Sequence, residues 1–252
     1  MRIGRFSHKG QVFTGQVGED DKVYPLVGEI YGELKTVAKG YLMEEVKVLA
    51  PCRPSKIICV GLNYSDHAEE LNLSIPKEPI IFMKPPTAVV GPGEAIIKPP
   101  ESERVDYEGE LAVVMRHHAK NITPEEAADY ILGYTCANDV TARDLQQKDG
   151  QWTRAKSFDT FCPLGPYIVT DVDTSNLNIE VYLNGVLKQH TSTKYLIFDI
   201  PTLVSFISKV MTLLPGDVIL TGTSSGIGPM VDGDKIEVFI EKVGRLTNPV
   251  IE

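Results

Sequence analysis

The sequence has few cysteines, and no two of its four cysteines are spaced as in a zinc site or a redox motif. Cys59 lies within the apolar segment KIICVG, where a cysteine is usually a small buried apolar residue. We therefore expect a reduced protein without structural disulfides, as is usual in the cytoplasm.

Long apolar runs and an excess of positive charge are also missing. No stretch approaches the roughly 18 apolar residues that a transmembrane helix needs, and the first letters, MRIGRFSHKG, lack a signal-peptide core. The formal net charge is -9, which would not attract nucleic acid or an anionic membrane. We expect a cytoplasmic protein with no nucleic-acid and no membrane partner.

Apolar residues are abundant enough, at 42% of 252, for the chain to bury a sizeable core. Residues 1–50 have the composition of short strands, and the prolines at 51 and 54 mark a linker. Residues 76–100 are rich in proline and glycine, which favours short strands and stiff turns over a doubly wound sheet. The predicted class is α+β and β-rich, with a small N-terminal β subdomain at residues 1–50 and a main domain at residues 51–252.

Three local patterns predict individual elements. Thr123 and Glu126 have the spacing of a capping box, so a helix is expected to run to about residue 131. Asn184 and Gly185, between two strand-like segments, predict a hairpin with a type I′ turn. Residues 199–211 predict an amphipathic helix that is capped by its first aspartate.

Acidic residues lead directly into ELAVVM, a segment that otherwise has the pattern of a buried strand. Alternation at period two puts Asp106, Glu108 and Glu110 on one face. Carboxylates this close repel one another and need a positive partner near a core, and a divalent cation that prefers oxygen ligands is suited to this. The alternative is an exposed edge strand with solvated acids. Asp139, at the end of a later strand, is either a further oxygen ligand or a helix N-cap.

Other side chains have the chemistry of catalytic groups. His67 and Glu70 fall at positions i and i+3 of a predicted helix, where the carboxylate can fix the imidazole of a general base; the alternative is a surface pair. Lys156 lies in an apolar, aromatic-rich segment, so it is either a snorkelling side chain or a lysine held for chemistry, with its pKa lowered by burial. Lys84, which precedes two prolines, is expected to be structural or exposed.

Several motifs occur together and in one order: GLNYSDHAEE, VDYEGELAVV, NDVTARDLQ, WTRAKSFDTFCPLGP, an Asn-Gly hairpin, PGD and TGTSSGIG. In this combination, over residues 55–240, the chain resembles the fumarylacetoacetate hydrolase family in its small prokaryotic form. The resemblance implies a mixed β-sandwich roll around one Mg²⁺ or Mn²⁺ ion per subunit, a small 2-oxo acid substrate and a homodimer. The residue roles that it implies are Glu108, Glu110 and Asp139 as metal ligands, with Asp106 outside the set, His67, Glu70 and Lys156 as catalytic residues, and Arg143, Gln146, Gly222 and Thr223 as substrate-binding residues.

The resemblance leaves two hypotheses for the reaction, both of which pass through an enolate at the same metal site. The first, which we prefer because the His67–Glu70 pair could activate a water, is hydrolytic cleavage of a C–C bond in a 2,4-dioxo acid of the acylpyruvate or fumarylpyruvate type. The second is isomerisation, tautomerisation or decarboxylation of a 2-oxo diacid, such as 2-hydroxyhepta-2,4-diene-1,7-dioate or oxaloacetate. Leu62 stands where acylpyruvate-cleaving members carry arginine, which favours the second. A metal-stabilised binding protein without catalysis is a third alternative, but it would need neither His67 nor Lys156.

The segment that carries His67 and Glu70 has few apolar side chains to anchor it. We therefore expect residues 63–73 to form a mobile lid that is poorly packed until a substrate binds.

Overall fold

The computed structural model describes all residues of the chain except 29, 32, 33, 38, 71 and 73. The described part is β-rich, with short helices between the strands, and this confirms the predicted fold class. None of the helices in it has the length and apolar character needed to cross a membrane. The strands are β1 (Arg2–His8), β2 (Gln11–Val17), β3 (Lys22–Gly28), β4 (Leu34–Thr36), β5 (Tyr41–Leu42), β6 (Lys47–Leu49), β7 (Ile57–Gly61), β8 (Ile80–Lys84), β9 (Val89–Val90), β10 (Ile96–Ile97), β11 (Val105–Tyr107), β12 (Gly109–Met115), β13 (Ile131–Asn138), β14 (Thr141–Ala142), β15 (Cys162–Val169), β16 (Asn178–Leu183), β17 (Val186–Ser192), β18 (Val218–Leu220), β19 (Gly228–Met230), β20 (Lys235–Ile240) and β21 (Gly244–Ile251). The helices are α1 (Ser65–Glu70), α2 (Ala127–Tyr130), α3 (Arg143–Asp149), α4 (Thr153–Lys156) and α5 (Ile200–Val210), with short 3₁₀ helices at Met43–Glu45, Pro86–Ala88, Pro124–Glu126 and Thr193–Tyr195.

The longest sheet runs through both predicted parts of the chain. Its main path is β4-β3-β2-β1-β15-β13-β12-β18-β7-β8. The first strand, β1, pairs antiparallel with β15, so that Arg2 lies opposite Val169. The N-terminal strands therefore extend the sheet of the main part of the chain. The predicted domain boundary between residues 50 and 51 does not coincide with a break in this sheet. The boundary stays a prediction.

A second sheet, in the order β10-β21-β20-β16-β17, packs against the long sheet. Leu111 of β12, Val181 of β16 and Val238 of β20 belong to one buried apolar cluster between the two sheets. At Gly109 the sheets come so close that a Cβ atom would lie 2.2 Å from Val181. Only glycine fits at this point of the acidic stretch, because any side chain would push the sheets apart.

Strand β12 is buried along its whole length. It pairs antiparallel with β13 on one edge and with β18 on the other. Leu111 and Val113 belong to the cluster between the sheets, whereas Ala112 and Val114 belong to a second buried cluster on the opposite face. This burial of both faces explains the apolar run in the sequence, and it excludes the alternative of an exposed edge strand.

The local patterns fold as predicted. The Thr123 N–H donates to the carboxylate of Glu126 at 2.8 Å, and the helical segment that follows ends at Tyr130. In the β16–β17 hairpin, Asn184 and Gly185 have φ angles of 52° and 77°, which are typical of a type I′ turn. Before α5, the carboxylate of Asp199 accepts the N–H of Thr202, as an N-cap does. All four cysteines are buried and free.

Candidate active site

Three buried carboxylates meet where the start of β12 lies beside the end of β13. Because these strands are antiparallel neighbours, with Gly109 opposite Asn138, their ends fall at the same edge of the sheet. Glu108, Glu110 and Asp139 each offer a carboxylate oxygen here, and these oxygens lie within 4.8 Å of one another. The three predicted ligands therefore form one cluster, and Asp139 is not a helix N-cap.

The side chain of Asp106 does not join Glu108 and Glu110 in the cluster, although the alternation of the strand predicts that it does. Its two carboxylate oxygens accept hydrogen bonds from Arg104 Nε at 2.8 Å and Arg143 Nε at 2.9 Å. It is fully buried and occupied by these arginines, so it orients Arg143 instead of facing the cluster. The prediction of three acids on one face is wrong for Asp106, because the strand pairing is interrupted between β11 and β12.

Two of the three carboxylates in the cluster have basic partners. Lys156 Nζ lies 2.8 Å from Glu108 Oε2 and 2.7 Å from Asp139 Oδ2, and Arg143 Nη2 donates to Glu108 Oε1. Lys84 Nζ lies 2.5 Å from Asp139 Oδ1 and also donates to the carbonyl of Val140. Sequence reasoning missed this role of Lys84, because nothing in the segment FMKPP indicates that its lysine meets a buried acid.

Glu110 is the exception in the cluster. Within the described residues it forms no ion pair, and its Oε2 accepts one hydrogen bond, from the N–H of Gly222 at 2.6 Å. Burial raises the pKa of Glu110 well above its ordinary value, and the charges of Asp139 and Glu108 raise it further. A cation beside Glu110 would remove this penalty. The buried oxygen donors therefore fit a hard divalent metal, and Glu110 is the residue whose charge most needs one.

The pKa of Lys156 shifts in the direction opposite to the sequence-based expectation. Burial alone would lower the pKa of Lys156, but the carboxylates of Asp139 and Glu108 outweigh burial and hold it above its ordinary value. For Glu108, burial alone would raise the pKa, but the charges of Lys156 and Arg143 outweigh it and hold that pKa below its ordinary value. Lys156 is therefore an ammonium ion that donates hydrogen bonds, and it does not serve as a neutral base.

The predicted His–Glu pair forms at the edge of the same site. His67 Nδ1 lies 3.0 Å from Glu70 Oε2, while Glu70 Oε1 accepts the N–H of Gly226 at 2.9 Å. His67 is only 5% exposed, whereas Glu70 is exposed, so the imidazole of the pair is buried and its carboxylate reaches the surface. Because one ring nitrogen is engaged by Glu70, Nε2 is the nitrogen that can exchange a proton with a bound molecule.

The first residues of the predicted lid are firmly packed. The side-chain amide of Asn63 donates to the carbonyls of Phe198 and Thr221, and Tyr64 is 1% exposed. Asp66 accepts hydrogen bonds from the side chain and the backbone N–H of Ser225. The expectation of poor packing is therefore wrong for residues 63–68. Residues 71 and 73 of the same segment lie outside the described residues.

These groups surround one cavity of about 270 Å³. One part of its wall is apolar. The ring of Trp152 packs edge to face on Phe82, with centroids 5.1 Å apart, and it lies so close to Gly61 that a Cβ atom there would come within 2.8 Å of it. Sequence reasoning did not single out these aromatic residues. The cavity is lined by Val60, Gly61, Leu62, His67, Phe82, Glu108, Glu110, Asp139, Arg143, Gln146, Gln147, Trp152, Lys156 and Thr223.

The glycine-rich segment after β18 is hydrogen-bonded to the start of β12, which carries Glu110. Gly222 bonds to Glu110 through its N–H, and Thr223 Oγ1 donates to the carbonyl of Gly109 at 3.0 Å. Gln189 of β17 accepts the N–H of Gly109 and donates to Thr223 Oγ1, a link for which the sequence carries no signal. Thr223 lines the cavity directly, whereas Gly222 contributes by holding Glu110 in place.

Comparison with known proteins agrees with this geometry. Residues 56–251 match the family model described as fumarylacetoacetate (FAA) hydrolase C-terminal, and residues 1–51 match one described as Rv2993c-like, N-terminal. A protein from Archaeoglobus fulgidus, named only as uncharacterized, is 56% identical over 99% of this chain and 96% of its own length. The oxaloacetate tautomerase Fahd2a of Rattus norvegicus is 45% identical over 82% of this chain and 70% of its own length. A crystal structure named as 5-carboxymethyl-2-hydroxymuconate delta-isomerase from Mycobacterium smegmatis superimposes with a TM-score of 0.94, at 44% identity and with 100% and 99% of the two chains covered.

The fold and the site together define an enzyme with a buried acidic triad that can hold a metal ion. The chain belongs to the fumarylacetoacetate hydrolase family, as a small member of the prokaryotic type. Enzymes of this family use divalent metals and include isomerases, tautomerases and hydrolases.

Proposed function

We propose that the protein catalyses proton transfer between keto and enol, or alkene, isomers of a small 2-oxo acid, with Mg²⁺ or Mn²⁺ bound by Glu108, Glu110 and Asp139. The observation that carries this proposal is that His67, held by Glu70, borders the same cavity as the three carboxylates. A group that exchanges protons thus stands beside a site suited to a chelating oxo acid. The names of the rat tautomerase and the mycobacterial isomerase support the same reaction class.

The size of the cavity supports a small substrate. Its volume of about 270 Å³ lies below the ~300–1,000 Å³ that is typical of sites for drug-sized ligands. When bound, a divalent ion would act as a Lewis acid and polarise the oxygen atoms of the substrate. The apolar wall formed by Leu62, Phe82 and Trp152 would exclude water from the carbon atoms that exchange the proton.

The chain's own residues supply the remaining roles in this proposal. His67 would move the proton through Nε2, while Glu70 holds Nδ1 and thereby fixes the tautomer. The ammonium of Lys156 would turn from a carboxylate toward negative charge that develops on the substrate. Gln146 Oε1 accepts from Arg143 Nη1 at 2.6 Å, and its amide N–H groups, which have no acceptor among the described residues, could donate to a substrate oxygen. We propose Arg143, Gln146, Gly222 and Thr223 as the residues that bind or frame the substrate.

Cleavage of a C–C bond in a 2,4-dioxo acid is the second candidate. The observation that favours it is again the His67–Glu70 pair, because a general base of this kind can also activate water. Leu62 argues against cleavage, because this apolar side chain lines the cavity where the acylpyruvate-cleaving members carry arginine. Decarboxylation of oxaloacetate would use the same metal site without requiring a water.

A substrate panel separates these candidates. The purified protein would be assayed with Mg²⁺ and with Mn²⁺ on oxaloacetate, an acylpyruvate and an unsaturated 2-oxo diacid. Loss of the ultraviolet absorbance of an enol or diene reports proton transfer, and chromatography reports cleavage or loss of CO₂. We expect metal-dependent acceleration of proton transfer to exceed cleavage. Efficient cleavage of the acylpyruvate, with no acceleration of proton transfer on any compound, would contradict the proposal.

Lys156→Met should lower kcat by about 10²–10³-fold, the usual cost of removing one donor to developing negative charge. Methionine fills a similar volume, so the variant should remain folded and keep its metal. Steady-state kinetics and circular dichroism test this, with Lys188→Met, at an exposed position on β17, as the control. Turnover of the Lys156 variant at the wild-type rate would remove this residue from the mechanism.

We also propose that the protein is a homodimer. Strand β8 is the last strand on the main path of the long sheet, and its residues Ile80 and Met83 are 40% and 42% exposed. An apolar edge strand is a site at which a second chain can pair. Light scattering at micromolar concentration should give twice the mass of one chain, and a monomeric mass would contradict the proposal.

A further inference from the structure

The carboxylate of Asp139 lies between two lysines that come from different elements. Lys84, at the end of β8, contacts Oδ1 at 2.5 Å, and Lys156, at the end of α4, contacts Oδ2 at 2.7 Å. Lys156 also pairs with Glu108, whereas Asp139 is the one carboxylate that Lys84 contacts among the described residues. The two lysines are therefore not equivalent in the acidic cluster.

The surroundings of Lys84 and Lys156 differ, and the difference indicates what each lysine does. The side chain of Lys84 is fully buried, its ammonium has a second, uncharged partner in the carbonyl of Val140 at 3.0 Å, and it does not border the cavity described above. Lys156 does border the cavity, and its hydrogen-bond partners among the described residues are the carboxylates of Asp139 and Glu108, two of the proposed ligands. Lys156 can therefore move aside when a cation or a substrate enters the cavity. Lys84 is enclosed by protein and has no such space to move into.

The backbone around Lys84 is equally fixed. Strand β8 pairs antiparallel with β7, and Lys84 lies opposite Ile57, which is fully buried. The ammonium therefore reaches Asp139 from a strand that is hydrogen-bonded to its neighbour, and it does not border the cavity.

We propose that Lys84 is a positioning residue that holds Asp139 Oδ1, so that Oδ2 is presented to the metal once Lys156 moves away. The terminal torsion of an aspartate is otherwise broad, and a carboxylate that can rotate loses entropy when it binds a cation. Partners behind a metal ligand commonly orient it in this way. The inference rests on the proposed metal site and not on the proposed reaction.

The direction in which cation affinity changes when Lys84 is removed distinguishes a positioning role from a purely electrostatic one. Lys84 carries a positive charge close to the metal position, so its removal would strengthen cation binding if charge alone mattered. If Lys84 instead orients Asp139, its removal should weaken binding. Loss of such a partner typically costs about 10–100-fold in metal affinity.

The test is the affinity for Mn²⁺ alone, without substrate, from the electron paramagnetic resonance signal of the free ion. Lys84→Met should bind Mn²⁺ about 10–100-fold more weakly than the wild type. The control is Lys56→Met, because Lys56 also bonds through Nζ to a buried aspartate, Asp217, which is not in the acidic triad. This control should lose stability and keep its Mn²⁺ affinity.

Unchanged or tighter Mn²⁺ binding by Lys84→Met would overturn the proposal. If that variant does not fold, Lys84→Leu also removes both the donor and the charge, and the same outcomes apply: weaker binding supports the role, and unchanged or tighter binding overturns it. A wild-type protein that binds no Mn²⁺ would overturn the metal site and this role together. Normal Mn²⁺ binding without acceleration of proton transfer would overturn only the proposed reaction.

Discussion

Glu110→Gln should lower metal-dependent turnover by roughly 10³-fold or more, because the contribution of a catalytic metal is several kcal/mol. Of the three carboxylates, Glu110 is the one without a basic partner among the described residues. Its loss therefore removes a ligand without releasing a lysine or an arginine from an ion pair. The other two positions would make less clean tests, since replacing either residue would also remove one of the two carboxylates that pair with Lys156.

The fold should tolerate this change. A glutamine oxygen can still accept the N–H of Gly222, so no buried donor loses its partner. Burial and the charges of Asp139 and Glu108 raise the pKa of Glu110, so the charged form opposes folding in the metal-free protein. After treatment with EDTA, we expect Glu110→Gln to unfold at the same temperature as the wild type or at a higher one.

Thermal unfolding with and without Mn²⁺ measures both effects. The wild type should be stabilised by the ion, because a ligand that binds only the folded state shifts the unfolding equilibrium. The variant should lose most of this shift along with its turnover. Glu94→Gln is the matched control, because Glu94 also accepts a glycine N–H, from Gly91 at 2.7 Å, and lies outside the site. A Glu110 variant that keeps the Mn²⁺ shift would show that this carboxylate is not a ligand.

The acidic cluster could be predicted in part because its members lie at the ends of strands, while the choice of Asp139 over Asp106 came from the family resemblance. Glu108 and Glu110 stand out as charges at the entrance to an apolar run, and Asp139 as an acid where a strand stops. What the pattern could not give was the role of Asp106, because its partner Arg143 lies 37 residues further along the chain. Alternation describes one continuous strand, and the pairing here breaks after β11.

The remaining errors have a common physical cause, which is contact between residues far apart in the sequence. The polarity of residues 63–68 suggested a loosely held helix, yet the side chain of Asn63 bonds to backbone groups 135 and 158 residues away. Lys84 was expected to be structural or exposed and is buried, but its ion pair could not be foreseen because the aspartate that it meets lies 55 residues away. The pairing of β1 with β15 likewise joins segments far apart in the sequence, since Arg2 lies opposite Val169. None of these contacts leaves a local pattern, because each partner is ordinary in its own segment.

Glu70→Ala should lower proton transfer by about 10²–10⁴-fold, the range ascribed to general acid–base catalysis. Without Glu70, His67 Nδ1 loses the partner that fixes its tautomer, and the N–H of Gly226 loses its acceptor. Metal affinity should stay unchanged, because neither residue belongs to the acidic triad. Glu69→Ala, at an exposed position on the same helix, is the control and should have the wild-type rate.

The pattern of losses across substrates identifies which proton His67 moves. If it exchanges a proton with the carbon or oxygen of the substrate, tautomerisation and isomerisation fall in the Glu70 variant even where no bond is cleaved. If it activates water alone, cleavage of an acylpyruvate falls and tautomerisation does not, and the second candidate function then replaces the first. A loss that is equal for every substrate and appears as a higher KM with an unchanged kcat would show that the pair holds α1 against the segment after β18. In that case the packing seen between Asp66 and Ser225 would be the main function of this helix, and another group would have to move the proton.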